Sequence, residues 1–236
     1  MTATTTDTSL GEVVSAQPGA ARVFQQHGLD FCCGGSRSLG EACESGGVDV
    51  DVVLGDLAAL APVPEPDWAS MGPAELVDHI EATHHEYLHA ELGLLASLAA
   101  KVAEVHGERH PELTDVYKTY SELQADLEPH LAKEEQILFP MIRELAAADA
   151  SPSFHCGSLR NPISQMLSDH DRAGELLEQL RDLSRDYAVP EDGCASYSSL
   201  YQRLEQLEAD THMHVHKENN VLFPAVLEIE SRLANA

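Results

Sequence analysis

The chain has 236 residues, 43% of them hydrophobic and 23% charged, with 12 Pro and 15 Gly, which excludes disordered, collagenous and membrane-embedded classes and leaves one main domain with a small appendage. Forty acidic against fourteen basic residues give a net charge of -26, a field that repels phosphate backbones and anionic headgroups, so neither nucleic acid nor membrane is expected as a partner. No basic residue leads an apolar run after Met1, and five Cys, an odd number with two adjacent, do not form a secreted disulfide framework, so a cytoplasmic protein with reduced thiols is expected.

Residues 1–10 are Thr-rich, and Leu10 to Leu60 reads as short helices joined by Gly-bearing turns, a small helical domain over 1–60. Pro18 suits a helix start, Gly28 a left-handed stop after His27, and Ser38 and Asp49 suit helix caps, the second for a helix carrying Val52, Val53, Leu57 and Leu60. Phe31-Cys32-Cys33-Gly34-Gly35 is not helical in pattern. Pro62, Pro64 and Pro66 make 61–70 an extended linker. From 71 to 236 the apolar residues recur at helical spacing in four long segments, broken near His106 to Pro111, Asp149 to Asn161 and Ala188 to Cys194. The expected fold is all-α: an up-down-up-down four-helix bundle preceded by the small helical domain.

The second and fourth segments repeat a phrase, His130-Leu-Ala-Lys-Glu134-Glu-Gln-Ile-Leu-Phe-Pro140 and His214-Val-His-Lys-Glu218-Asn-Asn-Val-Leu-Phe-Pro224, at an offset of 84 (214 minus 130, and 218 minus 134). The first and third segments answer with His85-Glu86 and His170-Asp171. Positions four apart share a helix face about 6 Å apart along the axis. His130 with Glu134 and His214 with Glu218 lie on stripes otherwise made of Leu123, Leu127, Leu138 and Met141, and of Leu204, Leu207, Val221 and Leu222. His85 shares its stripe with Leu88, Leu92 and Leu95, and His170 lies among Ile163, Met166, Leu167 and Leu177. Two inward carboxylates need positive charge between them, and no inward Lys or Arg recurs in both halves. A metal pair meets that need, with each Glu bridging and each ion taking two His. Imidazole with carboxylate and no thiolate suits iron or manganese. His84 rivals His85, while His79, His89, His212 and His216 have no counterparts in the other half and are assigned to the outer shell or surface.

With Asp30-Phe31-Cys32-Cys33-Gly34-Gly35, Lys133-Glu134-Glu135-Gln136-Ile137-Leu138-Phe139-Pro140, His170-Asp171 and Glu218-Asn219-Asn220-Val221-Leu222-Phe223-Pro224 in place, the chain resembles the hemerythrin-like di-iron proteins that repair iron-sulfur clusters, the RIC or YtfE/ScdA type. The resemblance implies a hemerythrin-like bundle over 71–236 and a Cys-Cys-Gly-Gly domain over 1–60. It also implies two non-haem, oxo- or hydroxo-bridged Fe ions on His85, His130, His170, His214, Glu134 and Glu218. The implied role is the restoration of iron-sulfur proteins damaged by nitrosative or oxidative stress, through iron donation or nitric oxide processing. Asp169 stands where members of that family often carry Glu, which alters the surroundings of the ligands and leaves the ligand set intact.

Adjacent Cys form a relaxed disulfide with difficulty, so Cys32 and Cys33 are read as working thiols, with Gly34 and Gly35 allowing a partner's backbone to approach; buried small hydrophobes are the bland alternative. On the resemblance, the pair handles nitrosyl groups or a transferred metal. Competing functions are a hemerythrin-like binder or sensor of oxygen or nitric oxide, and a di-iron nitric oxide reductase or peroxidase. Cys43, Cys156, Cys194 and His155 are left unassigned.

Overall fold

A computed structural model describes residues 4–60 and 68–235, and among them helices account for the regular structure, with only isolated bridges at Ser9–Ser38 and Phe154–Gly157. The linker expected over 61–70 lies largely outside the described residues; its end, Trp68–Ser70, is a 3-10 turn. The described residues divide into two compact units, one drawn from Met1–Val77, Ile142–Ser153 and His212–Ala236, the other from Asp78–Met141 and Phe154–Thr211.

In the first unit, α1 (Leu10–Ala16) and α3 (Leu39–Gly46) begin identically. Ser9 caps the amide of Glu12 while the Glu12 side chain answers the Ser9 amide, and Ser38 and Glu41 repeat the arrangement. The two caps are tied by backbone bonds from Leu10 to Arg37 and from Leu39 to Thr8, so both helices start from one short antiparallel contact. Gly28 (φ 63°) turns the chain after α2 (Ala20–Gln26), and Asp49 caps α4 (Val50–Ala59). Leu10, Val14, Phe24, Phe31, Leu39, Val53 and Val215 form one buried cluster. Of the apolar residues that α4 carries, Val53 and Leu57 are buried, whereas Val52 is 51% exposed.

The second unit contains the bundle. Its helices are α6 (Glu86–His106), α7 (Glu112–Lys133), α9 (Arg160–Ser184) and α10 (Ala195–Lys217), the last running on into the first unit. Leu88, Leu95, Val116, Tyr120, Leu123, Leu177, Leu180, Leu200 and Leu207 fill one continuous core, which is what a 3.6-residue apolar period produces when four stripes face inward. The direction of each helix is fixed by cross-pairs. Glu91 of α6 meets Arg203 of α10, while His84, just before α6, meets Asp210. Lys133 of α7 meets Asp169 of α9, and Arg172 reaches back to Asp126. Rising numbers on one helix therefore meet falling numbers on its neighbour, the up-down-up-down order. Leu167, placed on the inner stripe by pattern, is 39% exposed because Met166 beside it takes the core position.

The third break comes earlier than the apolar pattern suggests. α9 ends at Ser184, and Arg185, Asp186 and Tyr187 have φ of 53°, 57° and 56°. Left-handed backbone costs roughly 1–2 kcal/mol per non-Gly residue. Burial offsets part of that: the Tyr187 ring is 6% exposed, contacts the Tyr201 ring and carries the Arg181 guanidinium over its face at 5.2 Å.

Candidate metal centre

Three of the helices that carry the sequence-predicted ligands contain one wide turn each. Glu81–His85 separates α5 (Pro73–Ile80) from α6, Glu134–Leu138 separates α7 from α8 (Phe139–Ala146), and Glu218–Leu222 separates α10 from α11 (Phe223–Ala234). In each, the residue after the turn bonds five residues back: Glu86 to Glu81, Phe139 to Glu134 and Phe223 to Glu218. Two of these turns have a covalent cause. Pro140 and Pro224 lack an N–H and their rings crowd the carbonyl four residues earlier, so the preceding turn widens. The first turn has no such proline.

Within the second unit, the turns place His85, His130, Glu134 and His170 together, all at most 2% exposed. Glu134 Oε2 lies 3.5 Å from His85 Nε2 and 3.3 Å from His130 Nε2, and His130 Nε2 lies 3.2 Å from His170 Nε2. His130, Glu134 and His170 each offer a ligand atom within 4.8 Å of the others. Ring orientation is set from behind. His85 Nδ1 lies 2.9 Å from Glu135 Oε1, which also takes His89 Nε2 at 2.7 Å, and the His85 ring stacks on Phe139 at 5.3 Å. With Nδ1–H donated to Glu135, the lone pair of Nε2 points at Glu134, the arrangement of a metal-ligating imidazole. The two imidazoles hold the Glu135 carboxyl below its ordinary range against the opposing effect of burial.

Asp169 Oδ2 lies at an ion-pair separation of 3.5 Å from His130 Nδ1, while Asp169 accepts from Lys133 at 3.0 Å and from Gln165 at 2.7 Å. His84 turns away from this group: its Nδ1 is 2.9 Å from Asp210. His89 takes its place behind Glu135, as an outer residue.

In the first unit, His214 Nε2 and Glu218 Oε1 lie 3.3 Å apart on consecutive turns, at 1% and 0% exposure. The donor set across these residues is imidazole nitrogen and carboxylate oxygen, fully buried, which suits a divalent transition cation such as iron.

The same wide turn holds the cysteine loop. Asn220 Nδ2 donates to the Cys32 carbonyl at 2.9 Å, and Asn219 Nδ2 does so at 3.4 Å. His216, 0% exposed, approaches the Phe31 carbonyl at 3.4 Å and the Asn220 amide at 3.2 Å, with the Phe31 and Trp68 rings 5.8 and 5.7 Å away. Burial pushes its imidazole down to about 4. His212, assigned to the outer shell or surface by sequence, bonds Gln25 at 3.2 Å. Inside the loop, Asp30 accepts from the amides of Cys32 (3.1 Å), Cys33 (2.9 Å) and Gly34 (2.8 Å), an Asx-type turn. Cys32 Sγ lies 3.2 Å from Asp30 Oδ1 and 3.9 Å from Cys33 Sγ. The neighbouring Cys33, then burial, then the charge of Asp30 raise the Cys32 thiol well above its ordinary range.

The two glycines are required by the chain itself. A Cβ on Gly34 would stand 2.8 Å from the Asp30 carbonyl, and one on Gly35 would collide with the Asn220 side chain and stand 2.5 Å from the Phe31 carbonyl. A cavity of about 530 Å³ beside this loop is lined by Glu12, Ser15, Gly35, Ser36, Asn219 and Asn220.

Sequence reasoning did not assign Glu135, Asp210, Asn219 or Asn220. Glu135 and Asp210 carried no signal beyond their charge. Asn219-Asn220 did: they replace Glu135-Gln136 of the repeated phrase, and that departure marks where the fourth segment meets the cysteine loop.

Comparison with known proteins agrees with this arrangement. Residues 6–61 match the ScdA_N domain, a domain of unknown function (DUF542), and residues 76–226 match the hemerythrin HHE cation binding domain. The chain is 37% identical over 222 residues to the iron-sulfur cluster repair protein YtfE of Escherichia coli O1:K1, covering 94% of this chain and 97% of that one, and equally so to YtfE of Escherichia fergusonii. With the two domains in this order and likeness along nearly its whole length, the chain belongs to the YtfE family of iron-sulfur cluster repair proteins.

Proposed function

We propose that this protein restores damaged iron-sulfur clusters by means of two iron ions held by His85, His130, His170, His214, Glu134 and Glu218. One observation carries the reading: His85 and His130 aim Nε2 atoms at one buried Glu134 oxygen, and His170 Nε2 stands beside that of His130. The repeated phrase at an offset of 84 supports assigning His214 and Glu218 to the same task, as does their own contact at 3.3 Å. When bound, the irons supply redox-active cations with room for a small ligand such as nitric oxide or oxygen.

The residues of the chain do the rest. Glu135 orients the His85 imidazole through Nδ1, and the Asp169 carboxylate stands 3.5 Å from His130 Nδ1. The apolar surroundings exclude bulk water. Asp30 and Asn220 fix the backbone of the cysteine pair, where Cys32, Cys33 and the Asp30 carboxylate offer a second, smaller donor group within 4.8 Å of one another, suited to a metal or nitrosyl group in transit. Clients are iron-sulfur proteins damaged by nitrosative or oxidative stress. Cys32 and Cys33 as free thiols suit the reducing cytoplasm.

The test is iron per chain and restoration of a nitrosylated cluster. Two irons are expected in the native protein and at most one in Glu134→Ala or Glu218→Ala; unchanged iron in both would defeat the ligand assignment. Joint replacement of Cys32 and Cys33 by Ser should abolish restoration while iron is retained. Full restoration by that variant would show that the cysteine pair has no part in the repair.

A further inference from the structure

At the other end of the bundle, in the connections between α6 and α7 and between α9 and α10, a second group of reactive side chains stands apart from the ligand residues of its own unit. Cys194 immediately precedes α10, whose first helical bond runs from Ser198 to the Cys194 carbonyl, so its sulfur lies at the open amides of a 23-residue helix. His106, the last residue of α6, aims Nε2 at Cys194 Sγ from 3.1 Å.

His106 is only 6% exposed, and its Nδ1 has no hydrogen-bond partner among the described residues. Tyr197 packs edge-on against His106 at 5.6 Å and against His110 at 5.5 Å, which fixes the ring. The tautomer with hydrogen on Nε2 is the one that gives this buried imidazole a use for its proton, as a donor to sulfur. Cys194 itself is exposed.

Two carboxylates of these connections are paired: Asp192 is engaged by Arg109 at 2.8 Å and by His110 at 2.9 Å, and Glu112 meets His110 at 3.2 Å. Glu191 lies in the same connection and adds negative charge, which the helix amides must outweigh. The amides of Tyr197 and then Ser196 hold the thiol below its ordinary range. Cys32, by contrast, is pushed the other way.

We propose that Cys194 and His106 form a reactive thiolate site whose substrate is a small neutral hydroperoxide. The net charge of -26 disfavours anionic disulfides and leaves an uncharged peroxide unaffected. The thiolate attacks one peroxide oxygen, the S–O bond forms as the O–O bond breaks, and two electrons pass from sulfur. The sulfur becomes a sulfenic acid, and the departing alkoxide, or hydroxide in the case of hydrogen peroxide, takes a proton from solvent to become an alcohol or water. His106 donates to sulfur throughout and keeps its proton.

The experiment is peptide-resolved mass spectrometry of the full iron-containing protein. Iodoacetamide at neutral pH should label Cys194 about tenfold faster than Cys156, with a half-point below the usual thiol range of about 8.5. After brief hydrogen peroxide, a cyclic dione should trap sulfenic acid at Cys194. His106→Gln, checked for helicity by circular dichroism, should slow the labelling several-fold and raise its half-point. Cys194 labelling no faster than Cys156 in the unsubstituted protein overturns the thiolate site, whether or not the variant folds. Fast alkylation with no dione adduct overturns the hydroperoxide as substrate.

Discussion

Asn220 donates its side-chain amide to the carbonyl oxygen of Cys32 at 2.9 Å, 188 residues away in the chain. Asn220 belongs to the wide turn Glu218–Leu222, whose first residue is a buried carboxylate. One helical turn thus carries a proposed metal ligand at one position and the anchor of the thiol loop two positions later, both inside the first unit. A change in the shape of that turn must be felt by the loop. Asn220→Ala removes the bond and leaves two carbonyls poorly served, a cost of about 1–3 kcal/mol. The melting temperature should drop by roughly 2–4 °C per kcal/mol for a chain of this size. Cys33, already part-exposed, should react with iodoacetamide several times faster while iron content stays at its native level. An unchanged labelling rate would show that the loop is held by Asp30 alone.

Gly35 and Gly55 make a paired prediction with opposite signs. A methyl group on Gly35 meets the Asn220 side chain and stands 2.5 Å from the Phe31 carbonyl, a backbone atom that cannot shift cheaply, so Gly35→Ala should cost about 1–3 kcal/mol. Gly55 lies inside α4 with nothing within 4 Å of the added carbon, so Gly55→Ala should stabilise by up to about 1 kcal/mol. Guanidinium unfolding monitored by circular dichroism measures both. Equal effects would mean that the packing around Gly35 is looser than the contacts indicate.

Glu135 should act on metal affinity without being a ligand. Its carboxylate sets the His85 ring through the 2.9 Å contact with Nδ1. Glu135→Gln keeps an acceptor oxygen, whereas Glu135→Ala removes it, so iron retention against a chelator should fall by roughly 10–100-fold in Ala and much less in Gln. Equal loss in both would point to charge rather than orientation.

The capping boxes give a pH-dependent contribution with a defined sign. The backbone amide and then the hydroxyl of Ser38 hold the Glu41 carboxyl below its ordinary range, and Ser9 does the same for Glu12. A carboxyl lowered by folding contributes stability that is fully present above its unfolded pKa of about 4.3 and is lost as pH falls through the lowered folded value. Glu41→Gln should therefore melt below the parent at neutral pH and level with it in acid. A gap that persists in acid would assign the effect to helix propensity instead.

Much of this is legible in the sequence, for identifiable reasons. Caps such as Ser38 and Asp49 are local, and the inward stripes of the long helices follow from period alone. His130-Glu134 and His214-Glu218 announced themselves because a spacing of four puts both on one face, and the phrase occurs twice. Three things were hidden. The wide turns depend on backbone bonds that no periodicity reports, although Pro140 and Pro224 marked two of them. The early end of α9 goes with the burial of Tyr187, a tertiary effect that offsets part of the left-handed strain. Asn220, His216 and the Cys194–His106 pair each link residues far apart in sequence, and single-residue reasoning leaves such partners unassigned.

The bundle also contains an ion pair whose removal should be felt strongly from one side. Arg181 of α9 makes a two-pronged contact with Glu208 of α10, at 3.0 Å and 2.6 Å, and Glu208 is only 3% exposed. Arg181→Met leaves a buried carboxylate with no guanidinium and also strips the cation from the Tyr187 ring, so a loss of about 3–5 kcal/mol is expected. Replacing both residues by apolar ones of similar volume removes the stranded charge along with the attraction, and such exchanges are often neutral or better. The double variant Arg181→Met with Glu208→Leu should therefore recover most of the loss in denaturant unfolding. If it is no more stable than the single variant, the damage comes from lost packing around Tyr187 rather than from the uncompensated charge.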